Sequence, residues 1–254
     1  TPLGPMDRWP ARLRAVVEMA LDSGFPVATA WGEDAIQIYN DAYNPIYGHK
    51  HPGAFGRPMR ESWAEIWDFL KPAFDQVTAT GEPLWFHDSL LPLSRRGEPE
   101  ECWFDYSYSP VRDEDGRCLG MVSIAVEKTQ HVVLGRRMKT CDLPMDVMQD
   151  GRLGSLAAAL RERLAQNPMD AAGARFRRID AATGEPGEPF WTLGSAFDPG
   201  ETRWVRVTLS NRRGEPVARL DLLPDALVPP ESHAAFVTML SDRLHRVMHQ
   251  AELL

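Results

Sequence analysis

Few side chains in this chain are of a type and spacing that could do chemistry. His87 and Asp88 are adjacent, and Ser107 and Ser109 alternate in a strand-like run, so the parts of a Ser–His–Asp hydrolase are present. No Gly-x-Ser-x-Gly elbow accompanies them, and serines alternating along a strand line a solvent face, so catalysis is not expected. His49 and His51 flank Lys50 in a Gly- and Pro-rich loop, a spacing that suits solvated imidazoles better than metal ligands. Cys102, Cys118 and Cys141 have no close pair and no metal-ligand spacing. Scattered thiols in odd number fit buried structural cysteines in a reducing compartment. No metal and no cofactor is expected.

The aromatic residues are the remaining candidates. Tyr39, Tyr43, Trp63, Trp67, Trp85, Phe86, Trp103, Phe104, Tyr106 and Tyr108 crowd one stretch of chain. They either wall a concave site for a planar or apolar ligand or fill a core with their large hydrophobic surface. For the first reading the candidate ligand-binding set is Tyr39, Trp67, Trp85, Phe104 and Tyr106.

The elements that must position these residues follow from periodicity. A leading helix is read over Asp7 to Leu21, with Asp7 as N-cap and Leu13, Val16, Val17, Ala20 and Leu21 at helical spacing. Strands follow at Phe25 to Ala30 and Ala35 to Tyr39, joined by a tight turn at Gly32-Glu33-Asp34. Asn40 and Asp41 sit where their side chains could cap the next helical turn. Helical stretches are read at Asp41 to Tyr47, in parts of Pro58 to Trp67, and at Phe69 to Thr80, where Leu70, Phe74 and Val77 share a face. Three longer strands come next, at Leu84 to Leu93, Glu101 to Arg112 and Arg117 to Glu127. In the middle one Phe104, Tyr106 and Tyr108 alternate with Asp105, Ser107 and Ser109. Enclosed helices between a strand pair and a three-strand meander make an antiparallel sheet with helices on one face.

A solvated connector, 131–142, leads to a second unit over 143–254. Its helix runs from about Gly154 to Ala165, and its strands lie near Gly173 to Ile179, Phe190 to Ala196, Thr202 to Leu209 and Pro216 to Leu222. A final helix from about Glu231 carries Phe236, Leu240, Leu244, Val247 and Met248 as one stripe, which ends in mid-pattern at Leu253 and Leu254. It is expected to pack at its start and to dimerise at its end, with Leu240, Leu244, Val247 and Met248 as the signalling and dimer set. The fold class is therefore α+β, in two tandem antiparallel-sheet units.

Composition narrows the function further. At 254 residues with 43% hydrophobic and 25% charged content, the chain is long enough for two globular cores. No apolar run approaches the roughly 20 residues that span a bilayer. To Gln130 it carries 12 Lys+Arg and 20 Asp+Glu, a net of −8, and the remainder has 16 of each. That acidic front half argues against a nucleic-acid partner. Arg175, Arg177 and Arg178 form a local basic cluster, which a solvated strand edge explains as well as an anionic partner would. The start, TPLGPMDRWP, has neither an initiator Met nor a leader, and is read as the start of an excerpt.

Several segments together resemble the sensory region of a group of bacterial PAS–GAF histidine kinases. They are LGP at 3–5, Trp9-Pro10, Phe25-Pro26, Trp31-Gly32, YNDAY at 39–43 and Lys50-His51-Pro52. The order continues with Gly56-Arg57-Pro58, Glu65-Ile66-Trp67, Gly81-Glu82-Pro83 and SYSPVRDEDG at 107–116. The resemblance covers nearly all of the first 130 residues and implies a PAS sensor domain over 1–130. The second unit resembles a short GAF domain more loosely, through the helix into Asn167-Pro168, GEPVARLDL at 214–222 and the terminal helix.

What the resemblance implies is a cytoplasmic input region, homodimeric and non-catalytic by itself, whose parent chain is a histidine kinase with the kinase domain C-terminal to it. A small ligand of unknown kind would enter the PAS unit. Haem is not expected, because the helix Phe69 to Thr80 has no His to serve as axial ligand. Flavin photochemistry is not expected either, since Asp41 to Tyr47 has no Cys, and the GAF-like unit lacks a chromophore Cys. The rival reading is a PAS/GAF protein–protein interaction and dimerisation module with no small-molecule ligand.

Overall fold

The computed structural model describes residues 2–148, 152–194 and 200–251. They divide into two units, Thr1–Val132 and Val133–Leu254.

In the first unit the leading helix α1 spans Ala11–Leu21. It does not begin at Asp7, as expected. Met6–Arg8 forms a 3₁₀ turn and Trp9 is extended, because a residue before proline is pushed out of the helical region. Strands β1 (Val27–Trp31) and β2 (Ile36–Tyr39) pair antiparallel, with Ala28 opposite Tyr39. The short helices α2 (Asn44–Tyr47) and α3 (Met59–Ser62) precede α4 (Trp67–Thr80). Gly81 ends α4 at a φ of 67°, its N–H bonded to the Val77 carbonyl at 2.8 Å. Then come β3 (Leu84–Leu90), β4 (Trp103–Arg112) and β5 (Cys118–Glu127). The antiparallel sheet has the order β2-β1-β5-β4-β3.

One face of this sheet meets the enclosed helices, burying Tyr47, Trp63, Leu70, Phe74 and Val77 against Phe104, Tyr106, Tyr108 and Met121. Helices do not keep to that face alone. On the other face Leu13, Val17 and Ala20 of α1 pack on Val27, Trp31, Ile38, Val111 and Val122. Asn40 caps nothing. It is buried, its Oδ1 accepts from the Val27 N–H at 3.1 Å, and its Nδ2 donates to the carbonyls of Ser23 (2.9 Å) and Phe25 (2.7 Å). A long-range clamp has won over the local cap.

Helix α5 (Thr129–Cys141) contains the division between the units. The second unit continues with α6 (Leu153–Ala165), β6 (Gly173–Ile179), β7 (Pro186–Gly194), β8 (Val205–Ser210), β9 (Pro216–Leu223) and α7 (Pro230–Ala251). Ala196, Leu253 and Leu254, which entered the expectations above, lie outside the described residues. The sheet order is β7-β6-β9-β8. The arginines of β6 are thus on an inner strand, not an edge, because β9 returns to pair beside β6. Leu156, Leu160 and Leu164 of α6 and Phe236, Leu240 and Leu244 of α7 bury against Phe176, Leu209, Leu220 and Leu222. No described helix is long and apolar enough to cross a membrane.

Asp170 ties this unit together. Fully buried, it accepts from Arg137 Nη2 at 2.6 Å, Arg136 Nη2 at 3.1 Å and Asn167 Nδ2 at 3.2 Å, while its carbonyl meets His233 Nε2 at 3.1 Å. A buried carboxylate needs such partners to offset its desolvation.

Candidate functional site

The alternation of β4 sends Phe104, Tyr106 and Tyr108 inward, and that of β5 sends Met121, Ser123 and Ala125 to meet them. The 3₁₀ turn Asp41–Tyr43 contributes Tyr43, and the helical segments contribute Ile46, Met59, Trp63, Ile66 and Leu70. Between them is a cavity of about 40 Å³. At ~10–15 Å³ per water it holds a few waters or a ligand of a few heavy atoms.

The walls are mostly apolar, with tyrosine hydroxyls set among them. Tyr47 donates to Gln37 Oε1, and Tyr39 Oη lies 3.2 Å from His51 Nδ1. Burial pushes Tyr43 up to about 12, against a hydrogen bond with Ser123 that lowers it. Burial likewise raises Tyr106 and Tyr108, with the neighbouring Tyr43 adding to the effect. All of these phenols stay protonated and able to donate at neutral pH. Tyr106 Oη is buried and has no hydrogen-bond partner among the described residues. Among the described residues that line the cavity, Tyr106 is the one with a buried side-chain polar atom left unsatisfied.

The expected site residues are dispersed by this geometry. Phe104 and Tyr106 line the cavity. Tyr39 is buried one ring away, stacked on Tyr47 at 4.2 Å. Trp67 packs on the same core without reaching the cavity. Trp85 faces outward, 71% exposed and stacked on His87 at 5.2 Å, because its neighbours Leu84 and Phe86 take the inward positions of β3. Ser123, Tyr43 and Tyr108 were not in the expected set. Tyr43 and Tyr108 were among the crowded aromatics and the alternation of β4 pointed to Tyr108, whereas Ser123 becomes visible only when β5 is folded beside β4.

Leu240, Leu244, Val247 and Met248 all lie in the core of the second unit, at most 4% exposed. They offer no free face. His49 meets the Arg95 carbonyl at 2.9 Å through Nδ1, and no cluster of metal-ligand type occurs among the described residues. Burial pushes the thiols of Cys102 and Cys141 up to about 11, so both are unreactive thiols at neutral pH.

Residues 25–133 match a family model described as PAS fold. The first unit is a PAS domain. The match covers less than half of the chain and speaks for this unit alone. Among solved structures, the PAS unit is similar to the PAS domain of a protein from Colwellia psychrerythraea, at 12% identity and a TM-score of 0.37 over 46% of this chain and 98% of that one. It is similar to a sensory box sensor histidine kinase from Vibrio cholerae, at 16% identity and a TM-score of 0.33 over 50% of this chain and 98% of that one. The PAS domain from Bordetella pertussis BvgS gives 17% identity and a TM-score of 0.39 over 51% of this chain and 95% of that one. No curated protein matches the chain.

Proposed function

We propose that this chain is the input region of a two-component sensor histidine kinase, in which the PAS unit takes a small polar ligand. The observation that carries the ligand reading is the buried hydroxyl of Tyr106, a residue that lines the cavity, which has no partner among the described residues. A buried donor without an acceptor costs roughly 1–3 kcal/mol, and a ligand that accepts from it recovers that cost as binding energy. The kinase context rests on the ordered motifs from LGP at 3–5 to SYSPVRDEDG at 107–116. On this reading the parts are PAS over 1–130, a connector over 131–142 and a short GAF-like unit over 143–254 whose last helix leads to the kinase domain. The chain is a cytoplasmic homodimer, and α7 pairs through residues other than its buried stripe. Ligand occupancy biases the connector and α7 between two packed arrangements.

Native mass spectrometry of the purified protein, compared with the denatured protein, tests this. A non-covalent mass that disappears on denaturing and is absent from Tyr106→Phe supports the ligand reading. A bound mass indifferent to Tyr106→Phe, or none at all, overturns it.

A second reading, an interaction module without a ligand, is favoured by the sheet's outer face. Trp85, Ile124 and Val126 are 71%, 45% and 43% exposed there, with Ser107 directly between Trp85 and Ile124 in register. Sedimentation of Trp85→Ser distinguishes it: loss of a wild-type dimer points to this face, and an unchanged dimer removes the support.

A further inference from the structure

The face of the second unit's sheet opposite its core concentrates positive charge at fixed positions, where Arg206 is exposed and Arg175, Arg177, Arg219 and Asp221 are mostly buried. In register, Asp221 of β9 stands directly between Arg175 of β6 and Arg206 of β8, and Arg219 stands directly opposite Arg177. Their alternate neighbours Ala174, Phe176, Leu220 and Leu222 point into the core, so these five side chains share the opposite face. Asp221 Oδ2 accepts from Arg177 Nη2 at 2.8 Å and Arg175 Nη2 at 3.1 Å. Its Oδ1 accepts from Arg219 Nε at 2.8 Å, with Arg206 Nε at 3.7 Å.

Leaving Arg175 aside, three guanidiniums share one carboxylate, and no other carboxylate among the described residues is in ion-pair reach of them. Asp221 cannot neutralise them. Like charges directly across an antiparallel pair are destabilising, and Arg177 and Arg219 stand in that relation. Both are held in place rather than splayed into water, with side chains 17% exposed. Arg177 Nε is buried without a partner, and Arg219 donates only through Nε among the described residues. Among the described residues Arg177, Arg206 and Arg219 therefore keep fixed charge and donors in surplus, a combination that matches the geometry and charge of a phosphoryl group.

We propose that the face formed by Arg177, Arg206 and Arg219 around Asp221 binds a phosphoryl anion. The anion bridges Arg177 and Arg219 and removes their mutual repulsion, while Asp221 keeps the guanidiniums oriented. The source is either free phosphate or the phosphate of an organic ester. Trp204, whose ring lies 5.5 Å from the Arg175 guanidinium, gives an ester's organic part an apolar surface beside the charges. This site is independent of the PAS cavity and does not depend on the kinase reading.

Titration calorimetry of the full chain at constant ionic strength tests the proposal, with inorganic phosphate and phenyl phosphate as probes and chloride as the balancing anion. Saturable binding is expected in the wild type and in Arg213→Gln, which removes an exposed arginine of the β8–β9 turn. Arg177→Gln and Arg219→Gln should each weaken it roughly tenfold. Asp221→Asn should tighten it. Arg206→Gln, at a side chain 64% exposed, weakens it too and serves if the inner variants do not fold. Tighter binding of phenyl phosphate identifies an ester, and equal binding identifies free phosphate. Non-saturable heats, or binding unchanged in Arg177→Gln and Arg206→Gln, would overturn the proposal.

Discussion

At the scale of single residues, two side chains carry most of the consequence. Tyr106 holds a buried hydroxyl without an acceptor among the described residues. Tyr106→Phe is therefore expected to stabilise the ligand-free protein by about 1 kcal/mol in urea denaturation. A destabilisation of that size would mean that the hydroxyl already has a partner. Asn40 makes three side-chain hydrogen bonds to the backbone before and within β1. Asn40→Ala should cost about 2–3 kcal/mol by the same measurement, at roughly 1 kcal/mol per bond. Sequence alone placed Asn40 at a helix cap, since capping is the local use of an Asn before a turn. Its real partners are up to 17 positions away, and only the folded hairpin brings them near. Trp85 and Phe86 illustrate the same limit: adjacent aromatics on one strand take opposite faces, and nothing in the pair says which turns inward.

At the scale of elements, α7 is a packing helix. Leu244 is fully buried among α6 and the sheet. Leu244→Ala should cost about 2–5 kcal/mol, the range for deleting a buried leucine side chain, and leave little effect on any dimer beyond that of unfolding. The start of α7 also carries a pH dependence. Burial pushes His233 below its ordinary value of 6.5, outweighing the Asp170 carbonyl that favours the charged form, and Arg137 adds to the lowering. The unfolded chain then takes up the proton first. Stability from neutral His233 is complete above the ordinary value and declines as pH falls below it, towards the lower folded value. His233→Gln should show a smaller loss between about pH 7.5 and about pH 5.5 than the wild type in urea titrations. An equal loss would place the titrating group elsewhere. The α7 stripe was legible from its 3.6-residue period, but its partner was not, because an apolar stripe is the same whether its own sheet or another chain covers it.

At the scale of the whole molecule, the chain forms two units, each with a sheet and a core of its own. Calorimetry should resolve two transitions, with Leu70→Ala lowering one and Leu244→Ala the other. A single transition displaced as a whole by either substitution would contradict separate cores. The α+β character, the strand order along the chain and the inward set Phe104, Tyr106 and Tyr108 were determined by the sequence itself, because period and turn chemistry are local properties. The tertiary structure decided three other things. It put β6 inside its sheet, so that four arginines meet one aspartate across three strands. It put α1 on the far face of the PAS sheet. It also set the cavity at about 40 Å³. Each depends on which distant segments come together and how closely they pack, and neither period nor composition encodes a distance between them.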